Sequence, residues 1–497
     1  MISDTQPSMP QWLSQRARLT PDRIAFETEN EQLTFKQLLA RVHQAVSALR
    51  SAGVHPADHV ASLQGNTLPC AITVHALMML GAVMVPLNTR LSVDELAGQI
   101  EDSGCQRLIT DQKYEQKAAQ AIEQINCALI HTDKWIECDP LLDDFDTEIQ
   151  LGNPCTIIFT SGTTGHPKGV VLTYGNHWWN ANASLINLGL TPDDKWLCCV
   201  PLFHVSGLSI LMKSVIYGMP VYLQEKFEPQ AVNQLITDSG ITHISVVASM
   251  LQRMMDELDD HFSYPKTLRC ILLGGGPVPK SLLQRCLDQE MPIYQTYGMS
   301  ETASQAVTLP PEYMLKKAGS AGQPLFPLQV RISAEAPNEP GEILIKGPTV
   351  FSHYLNNPEA THEAFDGEWF HSGDIGYLDE DGFLFVLDRR KDLIISGGEN
   401  VYPAEVESVL NGCAGILRAG VIGVPDTQWG CVPIAFVSLK EGTGFSESEL
   451  INECKQHLAS YKVPKRIFTL AELPENASHK LLRRKLYEEY EKMNSIK

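Results

Sequence analysis

Short apolar runs alternate with longer amphipathic stretches from about residue 55 onward. Residues 60–63, Val83-Met84-Val85 and Arg107-Leu108-Ile109 read as buried strands, with helices at 68–80 and 93–103 between them. Strands alternating with helices at this spacing predict βαβ units and a mainly parallel sheet. Upstream, a helical pattern carries Trp12, Leu13 and Ala17. A second helix opens at Leu33-Thr34-Phe35, where Thr34 is placed to cap it and Gly53 to end it. Residues 112–150 are more polar and acidic, and connect or cap this first unit.

The alternation restarts further along. Residues 178–188 and 208–217 read as helices, and 196–200, 221–223, 243–247 and 270–273 as buried strands. From about residue 315 glycine, proline and short strands take over, at 330–332, 342–346 and 382–387, which predicts a small β-rich subdomain. Residues 389–497 read as a separate α+β unit, with helices at 405–410 and 447–458, strands at 420–424 and 434–439, and a highly charged last helix at 481–492. The expected class is α/β. A large N-terminal domain (1–388) combines two βαβ-type sheet units and the β-rich subdomain, and a smaller α+β domain (389–497) follows.

Composition narrows the function. A chain of 497 residues is too long for one ordinary core. The formal charge of −20 argues against general binding to nucleic acid or to an anionic membrane. The first residues lack a basic-plus-apolar signal, and the strongest apolar stretch, 76–87, is too short to span a bilayer. The 12 cysteines show no Cys-x-x-Cys spacing, so buried reduced thiols in a cytoplasmic protein fit best. Homo-oligomer formation is left open.

The candidate chemistry sits in the turns. An apolar β-branched run at 156–159 leads into Thr160, Ser161, Gly162, Thr163, Thr164, Gly165 and then Lys168. Glycines allow close backbone approach, so such a loop can offer N–H groups, hydroxyls and a mobile positive charge to an anion. Pro167 precedes the lysine and a strand resumes after it, so this is not a Walker A loop; a glycine-rich hairpin is the competing reading. Gly274-Gly275-Gly276 ends a buried strand, where open α/β sheets bind ligands, and could admit a flat ring; a tight strand–helix turn is the alternative. After the next strand, Thr296-Tyr297-Gly298-Met299-Ser300-Glu301 combines a π-face, hydroxyls and a carboxylate suited to Mg²⁺. Asp374 lies in a glycine-flanked turn and could accept two ribose hydroxyls, or close an Asx-turn. His204 and Ser206 stand among apolar residues, without any Gly-x-Ser-x-Gly elbow. Lys480 ends a polar loop before the last helix.

Each motif is ambiguous alone, but their order and spacing resemble the adenylate-forming enzymes, the acyl- and aryl-CoA ligase and luciferase superfamily, over essentially the whole chain. Within it the chain looks closest to o-succinylbenzoate–CoA ligases of menaquinone synthesis, on Tyr174-Gly175-Asn176-His177, 201–218, 394–403 and 476–483. The resemblance implies an acyl-CoA synthetase-like fold with a mobile C-terminal lid. It also implies a two-step reaction using ATP, Mg²⁺ and CoA. By that resemblance, Thr160–Lys168 holds the departing phosphates, Ser300 the α-phosphate and Glu301 the metal. Tyr297 stacks on adenine beside Gly274 to Gly276. Asp374 and Arg389 fix the ribose, Lys391 is the hinge, Gly397 lines the CoA path, and Lys480 is the catalytic lysine. His204, Ser206 and Lys213 are expected to line the acid pocket, one of them meeting the aryl carboxylate. A ligase for another aromatic or medium-chain acid, a carrier-loading adenylation enzyme and a nucleotide-binding regulator without turnover are the competing functions.

Overall fold

The computed structural model describes residues 7–137, 148–160, 167–259, 262–275, 278, 280–334, 339–388, 393–440, 442–444, 446–474 and 481–495. It divides into two units. The first comprises residues 1–89, 100–159 and 169–387, and the second residues 90–99, 160–168 and 388–497.

Two large sheets make up most of the first unit. One has seven strands, in the order His353–Tyr354, Lys168–Thr173, Pro154–Thr160, Val83–Pro86, His59–Leu63, Arg107–Thr110 and Ala128–His131. Its central pairings are parallel, as the alternating pattern predicts. The helix Leu68–Leu80 between two of these strands is apolar all round and buried along nearly its whole length. Thr67 caps its start, and Gly81, in the left-handed region, ends it. The helix Phe35–Ser51 is capped by Thr34, reciprocally with Gln37, as read from sequence.

The second sheet has nine strands, and it departs from the sequence reading at one edge. Ile24–Glu27 and Gln32–Thr34, from the start of the chain, extend it beyond Val221–Leu223. The two strands that flank the glycine-rich loop are neighbours in the first sheet, as the sequence reading of a loop between two strands expects. Ser8–Pro10 pairs with Glu148–Gln150, two short strands that the polar composition of their surroundings hid. A third, five-stranded sheet holds Gln329–Ser333, Gly341–Lys346 and Trp369–Leu378, which is the expected β-rich part.

The second unit contains a five-stranded sheet built around the long antiparallel pair Ile416–Asp426 and Gly430–Leu439. The helices Pro403–Gly412 and Glu447–His457 belong to the same unit. Here Lys462 and Glu405 form a buried ion pair at 2.6 Å. Burial raises the Glu405 carboxyl above its usual range, with Lys462 opposing. Among the described residues no helix is long and apolar enough to cross a membrane.

Elements that carry the site are labelled as follows: β1, Pro154–Thr160; β2, Lys168–Thr173; α1, Tyr174–Leu188; α2, Val205–Tyr217; β3, Cys270–Gly274; β4, Ile293–Met299; β5, Ser304–Leu309; β6, Trp369–Leu378. Helix α1 starts four residues before the expected 178 because Thr173 and Asn176 form a capping box.

Candidate active site

Strands β3 and β4 run parallel, with Leu273 opposite Gln295, so their carboxyl ends open on the same side of the sheet. Gly274 is the last residue of β3, and a methyl group there would lie 3.0 Å from the Thr296 side chain. Gly275 has φ +85, and a methyl group there would meet Val247 at 2.9 Å. Larger residues would fill this strand end; glycine leaves its backbone accessible.

The stretch Thr296–Met299 lies inside β4 rather than after it. It pairs antiparallel with β5, and the register slips between Tyr297 and Gly298. A Cβ at Gly298 would fall 1.8 Å from the Ser304 carbonyl oxygen, so only glycine permits the slip. A one-turn 3₁₀ segment, Ser300–Thr302, then leads to Ala303 and Ser304, with φ 55 and 119. Positive φ at two successive non-glycine residues is backbone strain of the kind that clusters at functional sites. The turn presents Ser300 and Glu301. The Tyr354 hydroxyl donates to Glu301 Oε1 at 3.0 Å, and the Phe351 N–H donates to the Glu301 carbonyl at 2.8 Å.

Asp374 does not sit in a loop turn. It lies within β6, next to Gly373, whose φ of 73 lets the strand buckle. The Ser372 hydroxyl donates to the Ile343 carbonyl and accepts from the Asp374 N–H at 3.1 Å, which fixes the aspartate's backbone. The Tyr297 hydroxyl donates to Asp374 Oδ2 at 2.8 Å. Two residues 77 apart in sequence are thus joined by a charge-assisted hydrogen bond, with both almost fully buried.

Helix α2 carries the acid-pocket candidates. His204 is its N-cap residue and packs against the Phe203 ring. Ser206 is exposed in the first turn. Ser206, Ser209 and Lys213 follow i, i+3, i+7 spacing and so share one face. Lys213 is only 2 % exposed, and its ammonium lies 5.4 Å from the centre of the Trp196 ring. Among the described residues no carboxylate lies within ion-pair distance of it. Burial pulls its pKa down from 10.5 to about 8. A buried lysine with no counter-ion among the described residues is a candidate partner for an anion. Sequence reasoning named Lys213 but missed its surroundings, Trp196, Ser209 and His177. The one local signal was a single charge inside an apolar helical run.

Thr160 ends β1 and Lys168 begins β2; the Thr160 hydroxyl donates to the Lys168 carbonyl at 3.4 Å. Ser161, Gly162, Thr163, Thr164, Gly165, Gly276, Arg389, Lys391 and Lys480 lie outside the described residues. In the second unit Gly397 and Gly398 make a turn with φ 59 and 86. The Gly397 N–H donates to the Trp429 carbonyl at 2.8 Å, and a Cβ there would run into the indole ring at 2.6 Å.

Residues 13–355 match the AMP-binding enzyme family, and residues 405–480 match the AMP-binding enzyme C-terminal domain. The chain belongs to the AMP-binding enzymes. It is 49% identical to the 2-succinylbenzoate–CoA ligase of Bacillus mycoides (strain KBAB4), over 98% of this chain and 100% of that one. Among solved structures it resembles o-succinylbenzoate CoA synthetase from Bacillus subtilis. A double mutant of that enzyme bound to a product analogue matches with TM-score 0.93 and 45% identity, covering 97% of this chain and 99% of that one. Its complex with the acyl-adenylate intermediate matches with TM-score 0.76 and 45% identity, over 97% and 98%. Its complex with ATP and magnesium ion matches with TM-score 0.75 and 44% identity, over 97% and 100%.

Proposed function

We propose that this AMP-binding enzyme is an ATP-dependent 2-succinylbenzoate–CoA ligase acting in the cytoplasm in menaquinone synthesis. Near-half identity over the full length of a ligase of that name supports the reading, and Lys213 is the structural observation that carries it. The substrate has two carboxylates. One is activated, and the other needs a buried cationic partner, which a ligase for a simple monoacid would not need.

In the first half-reaction a substrate carboxylate oxygen attacks the α-phosphorus of ATP. The bond to the β-phosphate bridging oxygen breaks, releasing pyrophosphate and leaving an acyl-adenylate. In the second, the CoA thiol attacks the adenylate carbonyl, loses its proton to solvent and expels AMP. Two anions meet in the first step, so donors and positive charge must be in place beforehand. Thr160, Ser161 to Gly165 and Lys168 cradle the departing phosphates, and Ser300 binds the α-phosphate. Asp374, held by Tyr297, takes the ribose hydroxyls together with Arg389. Adenine lies on Tyr297 beside Gly274 to Gly276. Lys480 bridges carboxylate and phosphate, on a C-terminal domain (389–497) that turns about Lys391 so that Gly397 faces CoA for the second half-reaction.

A single carboxylate beside phosphate-binding hydroxyls is the donor set expected for Mg²⁺, which keeps waters and takes the rest of its ligands from phosphate. Glu301 would hold it, and the metal, when bound, would supply charge neutralisation at the phosphates. His204 and Ser206 line the mouth of the acid pocket, and Lys213 receives the aryl carboxylate.

The deciding experiment is turnover with ATP and CoA across a panel of acids, followed by pyrophosphate release. 2-Succinylbenzoate should give the highest kcat/KM; a higher value for a monocarboxylic aromatic or medium-chain acid would overturn the assignment.

A further inference from the structure

Helices α1 and α2 and strand β5 pack on one another, and the polar side chains at their junction lack the pairing expected of a core. His177 Nδ1, Asn180 Oδ1 and both side-chain polar atoms of Gln305 have no hydrogen-bond partner among the described residues. Yet His177, Asn180 and Gln305 are 3%, 1% and 2% exposed. More than about nine-tenths of buried polar groups in native proteins are paired, so several unpaired atoms in one place need an explanation.

The atoms lie on α1 and β5, two elements that pack on each other. His177 and Asn180 share a face of α1 at i, i+3 spacing. Asn180 Nδ2 donates to the backbone carbonyls of Thr302 and Gln305 at 3.2 and 3.0 Å. The other ring nitrogen of His177, Nε2, lies 2.9 Å from the Thr156 hydroxyl of β1. Burial first, and then the nearby charge of Lys213, pull the His177 pKa down to about 3, which leaves a neutral ring beside the ammonium. The packed junction of α1, α2 and β5 therefore carries Lys213 on α2, His177 and Asn180 on α1, and Gln305 on β5. An apolar gap here would call for leucine or methionine. A lining with spare donors and acceptors on three elements is the setting in which ordered water is held, typically by about three hydrogen bonds each.

We propose that His177, Asn180 and Gln305 are positioning residues for Lys213, fixing its ammonium through ordered water and thereby fixing the substrate's second carboxylate. This rests on the reading that Lys213 receives that carboxylate.

The test compares 2-succinylbenzoate with benzoylpropionate, the same acid without the ring carboxylate, in wild type, Gln305→Met and His177→Phe. Gln305→Met replaces unpaired polar atoms with apolar ones of similar size, a change that need not destabilise a core; His177→Phe also gives up the contact between Nε2 and the buried Thr156 hydroxyl, so the two acids are compared within the same variant to cancel any loss of stability. They lie on different elements, so either one alone can decide. Each should raise KM for the diacid by about tenfold while leaving its kcat, and KM for the monoacid, within about twofold. The polar replacements His177→Asn and Gln305→Asn should restore part of the loss. An unchanged ratio of diacid to monoacid KM in both variants overturns the proposal, as does an equal rise for the two acids, which a merely structural role would produce. A wild type that does not favour the diacid over the monoacid sinks the Lys213 reading itself; a wild type that does, with variants that leave the ratio unmoved, sinks only this inference.

Discussion

Replacing Lys213 with methionine should weaken acid binding and strengthen the fold at once. The side chain is fully buried, and burial lowers its pKa from 10.5 to about 8. That drop corresponds to about 3 kcal/mol against the charged form in the free enzyme. A bound carboxylate that restores the charge recovers at most that amount, which is about a hundredfold in affinity. Lys213→Met should therefore raise KM for 2-succinylbenzoate by up to about a hundredfold and leave benzoylpropionate within about twofold. Methionine keeps the length and removes an uncompensated charge from the core, so unfolding at pH 7 should need more denaturant, not less.

The same group sets a pH dependence. The ionisable neighbours of Lys213 are His177, His243 and Cys270. Burial takes the two histidines to about 3 and about 4, so both are neutral above pH 6, and it raises the Cys270 thiol well above its ordinary value. Lys213 is the member of this group that titrates near pH 8. Above that pH it loses its charge, and KM for the diacid should climb while KM for the monoacid stays level. Stability moves the other way. The folded-state pKa lies below the unfolded one, so between about pH 8 and 10.5 the unfolded chain holds more protons, and this residue's contribution to stability rises with pH across that window. Initial rates of pyrophosphate release at varied acid concentration, from pH 6.5 to 9.5, read the first effect; urea unfolding over the upper part of that range reads the second. Equal KM changes for the two acids, or a Lys213→Met protein that unfolds more easily at pH 7, would refute the reasoning.

Tyr297→Phe keeps the aromatic face but removes the donor on Asp374; a hydrogen bond to a charged group contributes about 1.5–3 kcal/mol, so KM for ATP should rise about 10- to 100-fold with KM for the acid unchanged, as steady-state kinetics will show. Lys480→Ala should lose adenylate formation, by on the order of 10²–10³ in rate, yet still convert supplied acyl-adenylate to thioester when the half-reactions are assayed separately. Lys462→Met strands the buried Glu405 carboxylate without its partner and should destabilise the second unit by about 3–5 kcal/mol, measurable as a lower denaturant midpoint.

What was legible in the sequence follows the range of the interaction that encodes it. Thr34 and Gly53, and the all-apolar 68–80 run, are local signals, and the structure places the helices where those signals put them. Strand membership is not local. Nothing near Ile24–Glu27 says that it will join Val221–Leu223, since that pairing is chosen by a partner nearly two hundred residues away. The expected turn around Asp374 failed for a related reason. Flanking glycines are turn formers in isolation, but here Gly373 buckles a strand whose course is set by its neighbour Gly341–Lys346. The site divides in the same way. Its residue types were readable because loops and strand ends announce themselves in glycine and hydroxyl content. The Tyr297–Asp374 bond, the Trp196 ring under Lys213 and the unpaired atoms of His177 and Gln305 were not, because each exists only after distant elements have packed. A charge or amide left unpaired by that packing is costly, so it is a feature the fold retains rather than one it needs. Its cost is what makes such a feature informative about a ligand, and the sequence pattern by itself carries no record of it.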